Sequence, residues 1–271
     1  MASPALDLGA IKQRQRQTWA SGDFAAVATS MAIVGEMLCE AVDLRAGSTV
    51  LDVACGSGNA TLAAARRFCH VTGVDYVPAL LERGRERAAA ERLDVEFLDG
   101  DAEALPSGDG EFDVVLSTFG VMFAPDQPRA AAELLRVCRP GGTIGLANWT
   151  PEGMVGDIFR TTARYAPPPP GLQPPSAWGT ETGLTTLLGD DIEEMKIERC
   201  HFTFRYPSPD HWLAYFREHF GPVERAFAGL DADGREAFAA DLLDIMNRFN
   251  RADDGTLVAP AEYLEVVATR R

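Results

Sequence analysis

The residues with the clearest chemical potential lie in the segment VLDVACGSGNAT, where Asp52 stands before Gly56 and Gly58. Glycine lets the backbone turn sharply and approach a ligand without a Cβ clash, and a helix that starts behind such a turn offers free N–H groups. Asp75 follows Gly58 by 17 residues, near the ~20-residue offset at which a carboxylate reaches ribose hydroxyls. This spacing predicts a site for a ligand that contains a ribose.

The charge of Asp52 discriminates between two kinds of cofactor. The third glycine of the dinucleotide fingerprint would fall at Thr61, and a carboxylate beside a pyrophosphate would be repulsive. S-adenosylmethionine (SAM) instead carries an ammonium and a sulfonium, and a carboxylate can accept a charge-assisted hydrogen bond from the ammonium, directly or through water. The loop therefore favours SAM, and a NAD(P)-dependent reductase is the less favoured alternative.

Alternating strands and helices must position these residues. An amphipathic helix carrying Val27, Met31, Val34 and Leu38 is predicted first. Strands and helices then alternate, which predicts a parallel sheet with helices on both faces. The predicted strands lie at 48–53, 70–76, 94–98, 112–118 and 143–148, and the last of these follows the helix stop signal at 139–142.

Four groups of segments occur in one order along the chain: VLDVACGSGNAT, GVDYVPALLERGRERA, GDAEALP with FDVVLSTFGVMF, and ELLRVCRPGGTIGLANW. From about residue 35 to 150 the chain thereby resembles the class I SAM-dependent methyltransferases, especially the small-molecule branch that includes the ubiquinone and menaquinone biosynthesis methyltransferases. The resemblance implies an α/β, Rossmann-like fold with a seven-stranded, mostly parallel sheet and an antiparallel last strand. The chain departs from the family pattern at Ala54, where a glycine is usual.

The resemblance also implies roles for residues at the strand ends. The loop would hold the methionine part of SAM, Asp75 the ribose, and Asp101 the adenine amine. Thr118 and Phe119 would face the acceptor. The full set expected at the cofactor is Asp52, Ala54, Cys55, Gly56, Ser57, Gly58, Asp75, Tyr76, Asp101, Ala102 and Ser117.

The acceptor is not identified by any residue outside the loop. His201, His211 and His219 are candidates for a general base, although a structural or surface role is the simpler account of each. Methyl transfer is an in-line displacement that positioning alone can accelerate, so a base is not required. Aromatic residues favour an apolar or aromatic small molecule and equally favour simple packing; they are Trp19, Trp149, Trp178, Trp212, Tyr215 and Phe216.

A single methyltransferase domain spanning 1–271 is predicted. N-terminal helices occupy about 1–45, the cofactor-binding core 46–150 and a connector 151–190. The last strands, about 191–206 and 258–271, flank a helical insert at 207–255. We expect this insert to form a lid over the acceptor, with Tyr215 and Phe216 facing it, because ligands of open α/β sheets bind beyond the carboxyl ends of the strands.

The charge and the cysteine content of the chain argue against several classes of partner and site. A net charge of −15 disfavours a nucleic-acid partner, and the fourth strand lacks the Asn/Asp-Pro-Pro-Tyr/Phe signature of base methyltransferases. Five cysteines without a C-x-x-C pair indicate neither a disulfide framework nor a metal site. Without a signal segment or a membrane-spanning run, a cytoplasmic protein is expected. A non-catalytic protein that binds SAM or its product S-adenosylhomocysteine (SAH) remains an alternative.

Overall fold

A seven-stranded sheet is the framework of the computed structural model, which describes residues 6–271. The strands are β1 (Thr49–Val53), β2 (His70–Asp75), β3 (Glu96–Asp99), β4 (Phe112–Thr118), β5 (Cys138–Trp149), β6 (Ile192–Tyr206) and β7 (Leu257–Arg270). Their order across the sheet is β3-β2-β1-β4-β5-β7-β6. The first five strands pair in parallel, and β7 is antiparallel to both β5 and β6. The predicted mostly parallel sheet with an antiparallel last strand is confirmed.

Eleven α-helices surround this sheet within the described residues. They are α1 (Leu8–Trp19), α2 (Phe24–Ser30), α3 (Ala32–Ala41), α4 (Asn59–Arg66), α5 (Pro78–Glu91), α6 (Gln127–Val137), α7 (Met154–Tyr165), α8 (Glu181–Leu188), α9 (Pro209–His219), α10 (Gly221–Ala228) and α11 (Ala232–Phe249). The N-termini of α6 and α9 are capped by the side chains of Asp126 and Ser208, which accept hydrogen bonds from the backbone N–H groups of Arg129 and His211.

The sheet is buried on both faces because neighbouring strand residues point to opposite sides. Val114 and Leu116 pack with Leu38 of α3 and the alanines of α4. Val115, between them, belongs to the larger core on the opposite face, together with Leu134 of α6. This two-sided burial leaves the carboxyl ends of the parallel strands as the edge where loops are open to a ligand.

The N-terminal helical region differs from the prediction. The apolar stripe from Val27 to Leu38 is carried by two helices, α2 and α3, which meet at Met31 with a bend of 54°. The Ala28 carbonyl at this break accepts a hydrogen bond from the Asn59 amide at 2.8 Å. The apolar spacing continues across the break, so the residue pattern does not predict the bend. Residues 1–5 of the predicted region lie outside the described residues.

Two further differences lie beyond the cofactor core. β5 begins at Cys138, before the predicted stop signal, because Cys138 already pairs with Phe112 of β4. The segment predicted as a connector, 151–190, contains two helices, α7 and α8. By contrast, β6 and β7 lie close to their predicted bounds, with α9 to α11 between them. We propose that the chain forms one domain, since the sheet joins strands from its beginning and its end.

Among residues 6–271, no single helix has both the length and the apolar character needed to cross a membrane. Helices α2 and α3 reach that length and apolar character only when they are counted together, and they are bent against each other.

Candidate active site

A cavity of about 1400 Å³, counted with the space open to solvent at its mouth, follows the carboxyl edge of the sheet. Its wall contains the loop after β1, the ends of β2, β4 and β5, and the residues that follow β3. Helices α1, α2, α7 and α9 complete the wall with apolar side chains. The cavity therefore lies where the topology predicts a ligand.

The loop after β1 depends on an unusual backbone. Ala54, Gly56 and Gly58 have φ values of 52°, 56° and 84°, the left-handed region that favours glycine. Ala54 and Gly56 line the cavity, whereas Gly58 packs against the Phe97 ring behind it. A Cβ at Gly120, after β4, would stand 2.3 Å from the Ala54 carbonyl oxygen. Glycine at 120 is thus required for this turn to close against β4.

Asp75 lies at the end of β2 with its carboxylate buried in the cavity wall. One oxygen accepts the Gly56 N–H at 2.8 Å and the other accepts the Val77 N–H at 2.9 Å. Burial raises the pKa of this carboxyl to about 6, against the opposing effect of the two N–H donors. The side chain is held rigidly, and a carboxylate oxygen has a second lone pair for a ligand hydroxyl.

Asp52 lies behind the loop after β1 and outside the cavity wall. It is fully buried and does not line the cavity. One of its oxygens accepts hydrogen bonds from the Thr61 N–H at 2.9 Å and the Thr61 hydroxyl at 2.6 Å, so it anchors the first turn of α4. Burial raises the pKa of Asp52 to about 7. The carboxyl supports the loop from behind, and its other oxygen has no hydrogen-bond partner among the described residues. A contact with the SAM ammonium would therefore run through water, the second of the two routes predicted.

Asp101, the residue predicted at the adenine edge, lines the cavity just after β3. The structure adds a partner that the sequence did not reveal. The Lys12 ammonium, on α1, lies 2.6 Å from one Asp101 oxygen and also contacts Glu103. Burial alone would lower the pKa of Lys12, but the two carboxylates outweigh it and raise that pKa. This ion pair spans 89 residues of sequence, and no local pattern announces it.

Most of the other predicted cofactor residues lie at the cavity. Ser117 does not, because its hydroxyl donates to the Val53 carbonyl at 2.7 Å and accepts the Val121 N–H at 3.1 Å. It joins the ends of β1 and β4 behind the wall. The predicted cofactor residues that do line the cavity are Ala54, Cys55, Gly56, Ser57, Asp75, Tyr76, Asp101 and Ala102.

The opposite end of the cavity is aromatic. Phe119, with φ 61°, stacks flat on Trp149 at the end of β5, with ring centroids 3.8 Å apart and planes 2° apart. Trp19 meets Phe24 and Phe123 edge-on at 5.2 and 5.0 Å. Trp149 is three strand spacings from Asp75 in the sheet order, about 14 Å at ~4.8 Å per strand. The cavity thus has a polar end over β1 to β3 and an apolar end over β4 to β6.

The residues expected at the acceptor divide into two groups. Thr118, Phe119 and Phe216 line the cavity, while Tyr215 faces away and packs beside His219, with ring centroids 4.4 Å apart. Trp178 and Trp212 are fully buried in the core and do not line it. None of the histidines proposed as bases, His201, His211 and His219, lines the cavity within residues 6–271.

Sequence reasoning did not single out several residues of the wall. Phe24 on α2, Phe123 after β4 and Phe159 on α7 all face the apolar end, and Asn59 faces the loop. An apolar residue on the inner face of a helix is predicted to be buried, but the sequence does not say whether the protein core or a cavity lies beside it. Only the tertiary arrangement separates the two.

The comparisons with known proteins agree with this geometry. A family model for a methyltransferase domain matches residues 50–142. A demethylmenaquinone methyltransferase of Thermus thermophilus is 39% identical over 127 residues, which cover 44% of this chain and 58% of that protein. The chain carries a class I SAM-dependent methyltransferase domain. The resemblance predicted from the motifs is thus confirmed.

One relative and one solved structure match the chain beyond this core. An uncharacterized protein of Mycobacterium tuberculosis is 42% identical over 240 residues, or 88% of this chain and 87% of that protein. The solved structure of the YcgJ protein of Bacillus subtilis has the same fold, with a TM-score of 0.59 and 20% identity, covering 87% of this chain and 97% of that one. The cofactor of this methyltransferase is SAM.

The polar end of the cavity fits SAM on two structural observations. A Cβ built on Gly56 would point into open space and meet only a ring carbon of Phe24, at 3.8 Å, so this position leaves room for a ligand against the backbone. The Asp75 and Asp101 carboxylates are acceptors suited to the ribose hydroxyls and the adenine amine. SAM supplies a methyl group on a positively charged sulfur, from which it is readily displaced.

Proposed function

We propose that this methyltransferase transfers the methyl group of SAM to a small molecule with an apolar, ring-sized body. The observation that carries the proposal is the division of the cavity wall. Carboxylates lie only at the end over β2 and β3, and the end over β5 and β6 is walled by Trp149, Phe159, Phe204 and Phe216 within the described residues. Burial of an apolar body against such a wall contributes about 25 cal/mol per Å² removed from water.

The residues of this chain then act by binding and orientation. The loop from Ala54 to Ser57 would hold the methionine part of SAM, Asp75 the ribose, and Tyr76, Asp101 and Ala102 the adenine. Thr118 and Phe119, at the end of β4, stand between the two ends of the cavity, so an acceptor there would face the reactive carbon. Helices α1, α2 and α9 exclude water from the site, which favours the near-attack arrangement.

Transfer of tritium from methyl-labelled SAM to a solvent-extractable product tests this proposal. Pairs of acceptors with the same methylatable group and the same size should separate when one has an unsubstituted apolar ring and the other a fixed charge on the far side of that ring. Label should be found only in the members with the apolar ring. A Phe159→Asp variant should lose at least tenfold in kcat/KM for the acceptor, because a carboxylate would enter the apolar end.

Phe68→Asp is the matched control, since Phe68 is 81% exposed and does not line the cavity. It should keep both acceptor turnover and SAH affinity. Transfer to the charged members only, or equal losses in the two variants, would refute the assignment of the apolar end to the acceptor.

A further inference from the structure

The groups in the cavity wall that can exchange a proton are unevenly distributed. Among residues 6–271, those lining it are Asp75, Asp101, Cys55 and Tyr76, all at or just after the ends of β1, β2 and β3. Both Asp75 oxygens accept backbone N–H groups, and Asp101 is paired with Lys12. Burial raises the pKa values of the Cys55 thiol and the Tyr76 phenol, which keeps both protonated at neutral pH.

The elements that wall the apolar end carry titratable groups that do not line it. Arg16 of α1 pairs with Asp99 at 3.0 Å, and Asp157 of α7 accepts from Arg248 at 2.9 Å. Burial raises the pKa of Tyr206, at the end of β6, to about 12. Asp23 precedes α2, and His211 and His219 lie on α9. None of these groups lines the cavity within the described chain.

We propose that the acceptor enters the cavity as an anion, an aromatic hydroxyl already ionised in solution, and that this chain removes no proton from it. The inference rests on the proposed function. In the step itself, the acceptor oxygen forms a bond to the methyl carbon while the carbon–sulfur bond breaks, and the electron pair of that bond remains on sulfur. No proton moves, and the two opposite charges cancel.

The apolar end of the cavity favours an anionic acceptor over a neutral hydroxyl or a neutral amine. A neutral hydroxyl would have to lose its proton to a base, and the described residues that wall this end include none. A neutral amine would become a cation there, with no carboxylate beside it among the described residues. An oxyanion instead finds a counter-ion in the positively charged sulfur of SAM, and attraction between opposite charges strengthens as water is excluded. Products uncharged at the reacting atoms then form in an apolar cavity.

A binding measurement tests the charge pairing without turnover. Sinefungin has a carbon in place of the SAM sulfur and a protonated amine in place of the transferred methyl group, so it is positively charged there, whereas SAH is neutral at sulfur. By calorimetry above the hydroxyl pKa, an acceptor found by label transfer should bind the sinefungin complex at least tenfold more tightly than the SAH complex. Its methyl ether should show no such preference. Equal affinity of the ionised acceptor for both complexes would overturn the proposal.

The pH dependence provides the second test. A set of acceptors equal in size, with hydroxyl pKa values spread over about three units below that of tyrosine, ~10, is assayed at saturating SAM. The midpoint of each kcat/KM profile should follow the pKa of its acceptor, and His219→Gln should leave every profile unchanged. A midpoint common to all acceptors, or loss of the profile in His219→Gln, would identify a base in the chain.

The two proposals can fail separately. If no apolar molecule is methylated, the proposed function fails. If apolar molecules are methylated but none of them carries an ionisable hydroxyl, only the anionic acceptor is refuted.

Discussion

Replacement of Asp75 by asparagine should weaken cofactor binding strongly while leaving the fold nearly as stable. Asparagine has the same shape, so it keeps one oxygen as an acceptor for the N–H of Gly56 or Val77, which lie 2.8 and 2.9 Å from the carboxylate. The other N–H then faces an amide NH₂ group. That loss of a buried partner costs about 1–3 kcal/mol of unfolding free energy.

A second effect opposes this loss. Burial raises the pKa of Asp75 from its ordinary 3.8 to about 6, so keeping the buried carboxylate ionised at neutral pH costs on the order of 3 kcal/mol. The uncharged amide avoids that cost. The two effects are of similar size, and we expect the unfolding free energy to change by less than about 2 kcal/mol.

Binding has no such compensation. Hydrogen bonds to a charged group contribute about 1.5–3 kcal/mol and those to a neutral group about 0.5–1.5. If two ribose hydroxyls donate to Asp75, the variant should lose about 2 kcal/mol, or roughly 30-fold in SAH affinity. Because the ionised carboxylate is the stronger acceptor, wild-type affinity should fall as pH drops below about 6, and the variant should show a flat profile.

Calorimetric titration with SAH between pH 5 and 8 measures both effects, and urea unfolding measures stability. Asp52→Asn is the matched control, a second buried carboxylate that does not line the cavity, and it should keep SAH affinity within about threefold. If Asp75→Asn bound SAH as tightly as the parent at pH 7, Asp75 would not be the ribose ligand. If Asp52→Asn lost as much, the placement of Asp52 behind the wall would be wrong.

Three further predictions concern the surroundings of the loop. The Lys12→Met variant should release SAH about fivefold faster than the parent, and its release rate should depend less on salt, because a half-buried ion pair contributes about 1 kcal/mol. Stopped-flow fluorescence measures the release rate, and Arg14→Met, at an exposed position, is the control. Equal release rates in the two variants would contradict this prediction. Ala54→Gly should not lower the melting temperature, since it relieves a left-handed alanine, whereas Ala64→Gly inside α4 should cost more than about 1 kcal/mol; a larger loss in Ala54→Gly would contradict the strain argument. Burial raises the folded pKa of Asp52 to about 7, so the folded state binds more protons than the unfolded one and stability falls as pH rises from about 4 to 7; denaturant unfolding of Asp52→Asn should show a shallower fall, and an unchanged slope would rule out Asp52 as its source.

The sequence predicts the framework because the signals there are local. β4 lies at 112–118 as predicted, since an apolar run between turn residues is enough to define a buried strand. The loop after β1 is predictable for a similar reason, because a sharp turn that approaches a ligand requires glycine and because Asp75 directly ends a predicted strand. The sequence does not predict the bend at Met31, because neither a glycine nor a change of apolar spacing marks it. Helix α8 is not predicted either, because the proline-rich stretch at 167–175 before it indicates an extended loop.

The site is predictable only where one strand end determines it. Asp75 and Asp101 each follow a strand, so topology alone brings them to the same edge. Lys12 reaches Asp101 through the docking of a separate helix, and Tyr215 and Phe216 differ only in the side of α9 on which they fall. Such placements depend on how α1 and α9 rest on the sheet, which residue spacing along the chain does not encode.

A crystal structure of the SAH complex tests the central claim, the division of the cavity, most directly. The account predicts the ribose hydroxyls at the Asp75 carboxylate, the adenine beside Asp101, and the sulfur facing Thr118 and Phe119, with open space from there to Phe159. An SAH molecule whose adenine occupied the aromatic end, between Trp149 and Phe216, would contradict it.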